Sequence, residues 1–592
     1  MQFGKMFFAS LLAILVSGIL LVVMLLFLVG IAASSSKGPV IASQSVLYIK
    51  MDIPLTEHYE GDPGDLGDFQ LPFVGGVNKM GLYEFTEKIR QAKNDDRIKG
   101  IYLETVGTAP AGWASLQAVR KSLEDFRASG KFIYAWAPYY TEATYYLASV
   151  ADSVYMPSEG AMEMNGLGSS PFFVLGLFEK LGIQPRIFKV GEFKSAGEMF
   201  TRKDLSAENR EQIETYLNGF WKEFASAVAI SRQKSPADLD RIANSLFEGS
   251  GPDALREGLV DRLCDETEVG FALRRALGQD DKGKLRYVKY ADWFSVPAPA
   301  KGKTDGRIAV VFAEGDIVGG KGTSDQIGME RMTGLLRKMR KDDNIKAVVL
   351  RINSPGGDAL ASDLIASEVK RLNAVKPVMV SMGDVAASGG YYIAAPATRV
   401  FAQANTLTGS IGVIGLQFGT ADFLTGKLGV SFDQVATHPY ANVGDPNRPI
   451  SDAERAFIQK GVERVYGRFL QVVRDGRGFK DTLEVDRVAR GRVWTGTDAH
   501  KLKLVDEIGG LQEAIAAAAG KAGLSNYQVV TYPEQLGPFQ ELLKSFGGVT
   551  TSSKVLATTD PLYAEWQLLI RLKSAFPGSG TYTRLEFVPE VR

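Results

Sequence analysis

Residues Ile345 to Tyr392 read IKAVVLRINSPGGDALASDLIASEVKRLNAVKPVMVSMGDVAASGGYY and contain the pattern most indicative of the fold class. Its pattern predicts a short buried strand at Ala347–Ile352, an amphipathic helix at Ala359–Leu372 and a second buried strand at Val378–Ser381. Strands that alternate with helices in this way are typical of an α/β fold with mostly buried strands. We therefore predict this class for the half of the chain that contains the stretch.

The same pattern occurs earlier in the chain at a nearly constant offset. Asp95–Leu103 matches Asp342–Leu350 at an offset of 247 residues, and Tyr145–Ala148 matches Tyr391–Ala394 at an offset of 246. A repeat this long indicates duplication of a whole domain, and not a solenoid of many short units. The sequence predicts two similar α/β domains in tandem.

Five segments follow from the repeat and from composition. They are residues 1–45 (a cytoplasmic tip and membrane anchor), 46–295 (the first repeat), 296–306 (a Pro- and Gly-rich linker), 307–523 (the second repeat) and 524–592 (an extension with no repeat counterpart).

Composition excludes several classes of function. Of the 592 residues, 45% are hydrophobic, 68 are basic and 68 are acidic. The formal net charge is therefore zero, which gives no support to nucleic-acid binding. The single cysteine, Cys264, excludes an intramolecular disulfide and makes a thiolate zinc site implausible. No metal-ligand spacing occurs either, and we expect neither a metal nor a cofactor.

The N-terminus predicts a membrane anchor. Residues 7–33 are almost entirely apolar and uncharged, and a helix of this length exceeds the roughly 30 Å of a bilayer core. A cleavable signal peptide is the alternative, but its apolar region is normally about 7–15 residues long. We expect one uncleaved transmembrane helix, with the body of the protein outside the cytoplasm.

Candidate catalytic residues cluster after the predicted strands of the second repeat. The glycine turn Asn353–Asp358 follows one strand, and Ser388 follows the next, among small residues at the start of a helix. Such turns let backbone N–H groups approach a ligand, and a serine at an elbow can be a nucleophile. A third turn, Leu407–Val413, places Ser410 among glycines.

A serine nucleophile needs a base. Histidine is scarce, since the chain contains only His58, His438 and His500, although a Ser-His-Asp triad with His438 stays open. The other solution is a lysine whose pKa is lowered by burial.

The repeat narrows the choice of lysine. Lys194 of the first copy corresponds to Tyr440 of the second, whereas Glu142 of the first copy corresponds to Ser388. Each copy thus keeps a polar residue that the other lacks, which predicts one reaction centre divided between the two halves.

The motifs together resemble the signal peptide peptidase A family, in its long, duplicated, membrane-anchored bacterial form. The resemblance rests on Asn353–Gly357, Asp384–Tyr392, Leu407–Val413 and Val493–Gly496 with Leu504–Asp506, and it covers Val46 to about Lys521. It implies a Clp protease/crotonase-like fold in each repeat and serine protease activity through a Ser/Lys dyad.

The resemblance also implies the role of each residue. Ser388 is expected to be the nucleophile, Lys194 the general base and Ser410 the residue that orients the lysine, while the backbone N–H groups of Gly357 and Gly389 form the oxyanion hole. Because Glu142 replaces the serine in the first copy, we expect one site per chain.

The expected function is the degradation of cleaved signal peptides and other apolar, extended peptides. The resemblance places the protein in the bacterial inner membrane as a single-pass protein, with the catalytic body on the periplasmic side, and implies a homotetramer.

Two other classes stay open. A crotonase-like acyl-CoA enzyme would use carboxylates near the glycine turns, with Asp358 and Asp384 as candidates, and would not need Ser388 or Lys194. A membrane-anchored scaffold with inert remnants of a site is the non-enzymatic alternative, since Glu142 has already replaced a serine in one copy.

Overall fold

A computed structural model of the chain describes residues 41–58, 80–105, 111–280, 285–298 and 304–533, the short strands 65–66, 69–70 and 580–584, and the isolated residues 16–18, 24 and 302. Almost all of the anchor predicted at residues 7–33 lies outside the described residues. Within the described part of the chain, no helix has both the length and the apolar character needed to cross a membrane.

The first half alternates strands and helices. Its elements are β1 (Ser45–Lys50), β2 (Leu55–Thr56), β3 (Asp65–Leu66), β4 (Phe69–Gln70), β5 (Met80–Gly81), α1 (Leu82–Lys93), β6 (Ile98–Glu104), α2 (Trp113–Arg127), β7 (Phe132–Trp136), β8 (Tyr139–Tyr140), α3 (Glu142–Ala148), β9 (Ser153–Met156), β10 (Ala161–Met162), α4 (Leu175–Leu181), β11 (Gln184–Val190), α5 (Glu198–Thr201), α6 (Ala207–Ser231), α7 (Pro236–Ala243), α8 (Gly251–Arg256), β12 (Arg262–Leu263), α9 (Glu266–Ala276), β13 (Tyr287–Lys289) and α10 (Tyr290–Phe294).

The second half follows a similar order, with a long helix in the matching place, and has a further strand near its end. Its elements are β14 (Gly306–Glu314), β15 (Asp316–Val318), β16 (Gln326–Gly328), α11 (Met329–Lys341), β17 (Ile345–Ser354), β18 (Gly356–Asp358), α12 (Ala359–Asn373), β19 (Val378–Ala387), α13 (Gly389–Ala394), β20 (Arg399–Ala402), β21 (Leu407–Gly409), β22 (Val413–Gly419), a π-helix (Phe423–Lys427), α14 (Asp452–Arg477), α15 (Thr482–Val488), β23 (Val493–Thr495), α16 (Gly496–Lys501), β24 (Glu507–Ile508), α17 (Leu511–Lys521), β25 (Tyr527–Tyr532) and β26 (Gly580–Arg584).

Each half contains a parallel sheet with the same strand order. The first sheet runs β12-β9-β7-β6-β1-β13, and the second runs β24-β20-β19-β17-β14-β25, with β21 and β23 extending from β19. Their central strands are buried on both faces, as parallel strands covered by helices are. The predictions of an α/β fold and of an internal duplication are both confirmed.

Strand pairing shows that the second repeat extends beyond the boundary predicted at residue 523. The boundary at residue 523 leaves β25 in an extension with no counterpart, yet β25 pairs in parallel with β14 as β13 pairs with β1. The expectation that no repeat counterpart exists beyond residue 523 is therefore wrong for Tyr527–Tyr532. The two strands occupy the same place in each sheet because both cover the edge of the first strand of their repeat.

A third sheet joins the two halves. Its order is β11-β22-β26-β18-β15-β16, and β11 of the first half pairs antiparallel with β22 of the second, from Gln184 opposite Gly419 to Val190 opposite Val413. This pairing brings the chain that follows β11 to the catalytic turns predicted in the second half.

Buried polar contacts also join the halves. Arg351 on β17 forms a bidentate ion pair with Glu57, at 2.8 and 3.2 Å, and neither side chain is more than 3% exposed. Burial raises the pKa of Glu57, although the neighbouring guanidinium opposes this shift. Since a buried charge without its partner is strongly destabilising, this pair holds the halves in one relative position.

Candidate active site

Ser388 lies at a strand-to-helix elbow, as the sequence predicted. Strand β19 ends at Ala387 and helix α13 begins at Gly389, so that Ser388 is the single residue between them. Its φ of 52° is unusual for a residue with a side chain and costs of the order of 1–3 kcal/mol. The carbonyl of Gly409, which accepts the Ser388 N–H at 2.8 Å, helps to hold this conformation.

Lys194 reaches the same place from the other half of the chain. It follows β11, the strand that pairs with β22, and its side chain is buried at 1% exposure. Lys194 Nζ lies 2.9 Å from Ser388 Oγ, although 194 residues separate the two in sequence. The amine and the hydroxyl are therefore within hydrogen-bonding distance in a site closed to bulk water.

Ser410 completes a buried polar cluster around the amine. Its Oγ lies 2.9 Å from Lys194 Nζ, and its carbonyl oxygen lies 3.4 Å from the same nitrogen. Ser410 also has a positive φ, 47°, and its N–H donates to the carbonyl of Arg492 at 2.7 Å. The structure thus brings together the three side chains that the sequence singled out.

Glycines allow three loops to pack against the lysine. A Cβ on Gly491 would lie 2.5 Å from the backbone nitrogen of Lys194, and one on Gly191 would lie 2.4 Å from the carbonyl oxygen of Arg490. A Cβ on Gly412 would lie 3.1 Å from Cδ of the lysine itself. Side chains at these positions would push the lysine segment away from Ser388.

Gln212 supports the lysine loop from helix α6 and was missed by sequence reasoning. Its amide nitrogen donates to the carbonyl of Phe193 and to Ser195 Oγ, at 3.3 and 3.0 Å, and its oxygen accepts the N–H of Val493 at 3.2 Å. The buried amide therefore ties the segment around Lys194 to the loop that bonds Ser410. Gln212 lies within a long polar helix, and no local pattern distinguishes it.

Arg492 was missed as well, although it directly precedes the Val493–Gly496 motif. Its guanidinium lies between the rings of Phe193 and Trp494, 4.6 Å from each ring centre, and pairs with Glu211 at 2.7 Å. Stacking of this kind favours arginine because its guanidinium is planar. It holds the loop after α15 against the segment that carries Lys194.

The glycine turn lies at the end of β17, beside the start of helix α13. Gly356 and Gly357 have φ values of 107° and 152°, and a Cβ on Gly357 would lie 2.0 Å from the carbonyl oxygen of Ile317. A Cβ on Gly390 would similarly lie 2.7 Å from the carbonyl oxygen of Ser354. The turn and the helix that follows Ser388 are therefore in close contact, and only glycine fits at both.

The histidines bond elsewhere. His58 Nδ1 lies 2.6 Å from Glu84, His438 contacts Thr437, and His500 Nδ1 lies 3.3 Å from the carbonyl of Val505. None of these contacts involves Ser388, so the geometry of the described residues gives no support to a Ser-His-Asp triad.

The two carboxylates that an acyl-CoA enzyme would use are engaged in structural bonds. Asp358 caps helix α12 by accepting the N–H of Ala361 at 2.7 Å. Asp384 accepts the N–H and the hydroxyl of Ser115, at 2.8 and 2.6 Å, at the start of helix α2. Both carboxylates therefore stabilise helix N-termini, and Asp384 does so across the two halves.

Glu142 lies at the matching position of the first half, where helix α3 begins. Its carboxylate accepts the N–H groups of Asn165 and Gly166, at 2.7 and 3.2 Å, and it is 5% exposed. Burial raises its pKa. Tyr440, which the repeat placed opposite Lys194, is 60% exposed, so the described residues form no second lysine and serine pair at the mirrored positions.

Comparison with known proteins identifies the family of this chain. The family model described as Peptidase family S49 matches residues 125–279 and 370–525, one region in each half. The chain belongs to peptidase family S49. It is a serine protease, and the resemblance to signal peptide peptidase A is confirmed.

Relatives match along most of the chain. "Protease 4" of Salmonella typhi is 36% identical over 80% of this chain and 77% of its own length. "Protease 4" of Haemophilus influenzae is 33% identical over 84% of this chain and 82% of its own length. "Serine protease SPPA, chloroplastic" of Arabidopsis thaliana is 35% identical over 80% of this chain and 70% of its own length.

Among solved structures, ClpP1 from Listeria monocytogenes is 18% identical to this chain. It covers 34% of this chain and 92% of its own, with a TM-score of 0.23. Within the described residues no cluster of histidine, cysteine and carboxylate side chains could hold a metal ion.

Proposed function

We propose that this serine protease is an endopeptidase with a Ser/Lys dyad, in which Ser388 is the nucleophile and Lys194 the general base. The observation that carries the proposal is the 2.9 Å distance between Lys194 Nζ and Ser388 Oγ in a buried site. Burial removes water from an ammonium group and lowers a lysine's pKa, which favours the neutral amine that a base must present.

In the first step the Lys194 amine takes the proton of the Ser388 hydroxyl while Oγ attacks the carbonyl carbon of the scissile peptide bond. The resulting ammonium then gives that proton to the leaving amine nitrogen, which departs and leaves an acyl group on Oγ. Lys194 then takes a proton from a water molecule, whose oxygen attacks the ester carbon. The bond to Oγ breaks, the acid product leaves, and the Lys194 ammonium returns the proton to Ser388 Oγ.

Ser410 is proposed to orient the amine. A neutral lysine has two N–H groups and one lone pair. If the N–H groups donate to Ser410 Oγ and to its carbonyl, at 2.9 and 3.4 Å, the lone pair is left to face Ser388.

The oxyanion that develops on the carbonyl oxygen of the scissile bond is proposed to accept hydrogen bonds from the backbone N–H groups of Gly357 and Gly389. The first belongs to the glycine turn after β17, and the second to the residue that follows the nucleophile. The close packing of Gly390 against Ser354 supports this pairing, since it keeps the two segments together. Two donors in place before reaction stabilise negative charge without reorganisation.

One such site per chain is proposed, because Glu142 occupies the mirrored position of Ser388. Its carboxylate is engaged by the N–H groups of Asn165 and Gly166. The first half then contributes the lysine and its support, and the second half contributes the nucleophile.

The test is hydrolysis of a fluorogenic apolar peptide together with labelling by a fluorophosphonate. We expect Ser388→Ala to abolish both. Lys194→Met keeps the volume and Lys194→Arg keeps the charge, and both are expected to lose hydrolysis because neither side chain can accept the proton. Ser149→Ala, at another buried serine, and Lys180→Ala, at an exposed lysine, are the matched controls. Near-normal turnover by either lysine variant would exclude the dyad.

The substrates, membrane anchoring and assembly are proposed from the family resemblance and the N-terminal sequence. We propose that cleaved signal peptides and other apolar, extended peptides are the substrates, that residues 7–33 anchor the chain in the bacterial inner membrane with its body on the periplasmic side, and that the protein is a homotetramer. Protease accessibility of the body in spheroplasts tests the orientation. Light scattering in detergent tests the tetramer.

A further inference from the structure

Strand β19 is irregular just before the proposed nucleophile. Ile352 of β17 stands opposite Met382 of β19, and the next pair is Ser354 opposite Ala386. Between these pairs β17 has one residue, whereas β19 has three, residues 383–385, which form a bulge. A bulge bends its strand and redirects the residues that follow, and bulges are common beside active sites. This bulge therefore sets the direction in which β19 leads to the nucleophile.

The residues around the bulge are packed between the two halves. Val385 and Ala387 lie in the hydrophobic core of the first half, together with Trp113 at the start of helix α2. Their neighbour Ala386 lies in the core of the second half. The position of the segment that leads to Ser388 therefore depends on how the first half packs against it.

Asp384, the central residue of the bulge, supplies the N-terminal cap of helix α2. Its carboxylate accepts the N–H and the hydroxyl of Ser115, the third residue of the helix, at 2.8 and 2.6 Å. The residue before the helix is Gly112, which has no side chain that could cap it. A Cβ on Gly112 would lie 2.4 Å from Cγ of Asp384. The helix thus takes its cap from the second half, and the glycine leaves room for that carboxylate.

The two ends of the bulge are held from within the second half. The carbonyl of Gly383 accepts the hydroxyl of Thr406 at 2.8 Å, and the N–H of Val385 donates to Oδ1 of Asn353 at 3.1 Å. The contact with helix α2 differs from these two, because it fixes the bulge relative to the half that carries the lysine.

We propose that Asp384 is a positioning residue for catalysis, whose contact with Ser115 holds the bulge on helix α2 and thereby keeps Ser388 at the distance from Lys194 that proton transfer needs. The inference rests on the proposed roles of Ser388 and Lys194. It goes beyond them because it makes a helix of the first half the support of the nucleophile. Displacement of a reacting group by about 1 Å lowers the rate about 100-fold, so a small movement of the bulge is enough to slow the reaction.

The test uses the detergent-solubilised full chain and hydrolysis of a fluorogenic apolar peptide. Asp384→Ala removes the contact and the cap together. We expect kcat to fall at least 10-fold with KM within twofold of the parent, because the serine is displaced while substrate binding is kept. Asp265→Ala is the matched control, since Asp265 caps helix α9 of the first half by accepting the N–H of Glu268 at 3.0 Å. The control should lower the melting temperature and leave kcat unchanged.

A double variant separates the position of the bulge from the stability of helix α2. Gly112→Ser combined with Asp384→Ala gives the helix a cap of its own, because loss of the carboxylate makes room for the new hydroxyl, which can accept the N–H of Ser115. The backbone at Gly112, with φ of −71° and ψ of 168°, suits a serine. We expect the melting temperature to return toward that of the parent while kcat stays low. Recovery of kcat together with the melting temperature would overturn the inference, because Asp384 would then act through helix stability alone.

A milder substitution keeps the test decisive if Asp384→Ala does not fold. Ser115→Ala removes one of the two hydrogen bonds to the carboxylate and keeps the other, which comes from the backbone. We expect kcat to fall about threefold or more with KM unchanged. An unchanged kcat in this variant, or a kcat within twofold of the parent in Asp384→Ala, would also overturn the inference.

Ser388→Ala and Lys194→Met in the same assay separate this inference from the proposed function. If both abolish hydrolysis while Asp384→Ala keeps its kcat, the inference fails and the dyad stands. If either of them keeps near-normal hydrolysis, the dyad fails and the inference fails with it.

Discussion

Replacement of Gly357 by alanine offers the sharpest test of the oxyanion assignment. A Cβ at this position would lie 2.0 Å from the carbonyl oxygen of Ile317, and 2.8 Å from its carbonyl carbon and nitrogen. Non-bonded contacts of this kind need more than 3 Å, so strands β15 and β18 must separate by about 1 Å. The φ of 152° adds strain for any residue with a side chain.

The displacement should act on the transition state more than on substrate binding. Loss of one oxyanion donor lowers kcat by about 10²–10³-fold, which corresponds to about 2.7–4 kcal/mol. Displacement of a catalytic group by about 1 Å is by itself enough to lower the rate about 100-fold. We therefore expect Gly357→Ala to reduce kcat at least 100-fold, with KM changed only slightly.

The assay is steady-state hydrolysis of a fluorogenic apolar peptide, with thermal unfolding to check the fold. Gly319→Ala is the matched control, because it lies directly after β15 and a Cβ there meets no atom within 4 Å. The control should keep kcat within about twofold of the parent, as surface substitutions away from a site usually do. A correctly folded Gly357→Ala protein with kcat within threefold of the parent would show that the Gly357 N–H is not an oxyanion donor.

Three further substitutions test other parts of the site. Ser410→Ala removes a hydroxyl that lies 2.9 Å from the Lys194 amine. Since one hydrogen bond contributes about 0.5–1.5 kcal/mol, we expect kcat, measured as a function of pH, to fall by about 3–10-fold. An unchanged pH profile of kcat would count against an orienting role for Ser410. Gln212→Leu should lower kcat about 10-fold with little change in KM, because the Phe193 carbonyl and the Val493 N–H lose their partner; if only the melting temperature falls, Gln212 is structural alone. Glu142→Gln should leave hydrolysis unchanged. Because burial raises the folded pKa of Glu142 above its ordinary value of 4.5, the wild type loses stability as pH rises through that folded pKa, and the variant should melt higher at pH 8 but not at pH 4. Equal melting temperatures of the variant and the wild type at both pH values would show that the negative charge of Glu142 does not destabilise the folded protein.

Local sequence patterns predicted the parts of the site that lie on single elements. The strand predicted at Ala347–Ile352 is the centre of β17, and the elbow at Ser388 lies between β19 and α13 as expected. Both follow from short apolar runs and from small residues at turns, which act over a few neighbours in the chain. The offset between the copies likewise predicted that the two sheets repeat.

The sequence alone chose Lys194 only through the comparison of the copies and the family resemblance. The contact between Lys194 and Ser388 depends on the antiparallel pairing of β11 with β22 across the halves. No local periodicity encodes such a pairing, because it is selected by burial of whole surfaces against each other. The amide of Gln212 escaped notice for the same reason.

Patterns in the amino-acid sequence were enough to predict two successive α/β units, with the serine and the glycine turns at strand ends in the second. Packing of the two units was needed to bring Lys194 beside Ser388, to place Asp384 at the start of a helix of the first half, and to add Gly580–Arg584 to the sheet beside Gly357. The difference has a physical cause. Strands, helices and turns form from interactions between near neighbours, whereas these contacts join residues about 190 to 270 positions apart and arise only when sheets and helices from both halves are packed.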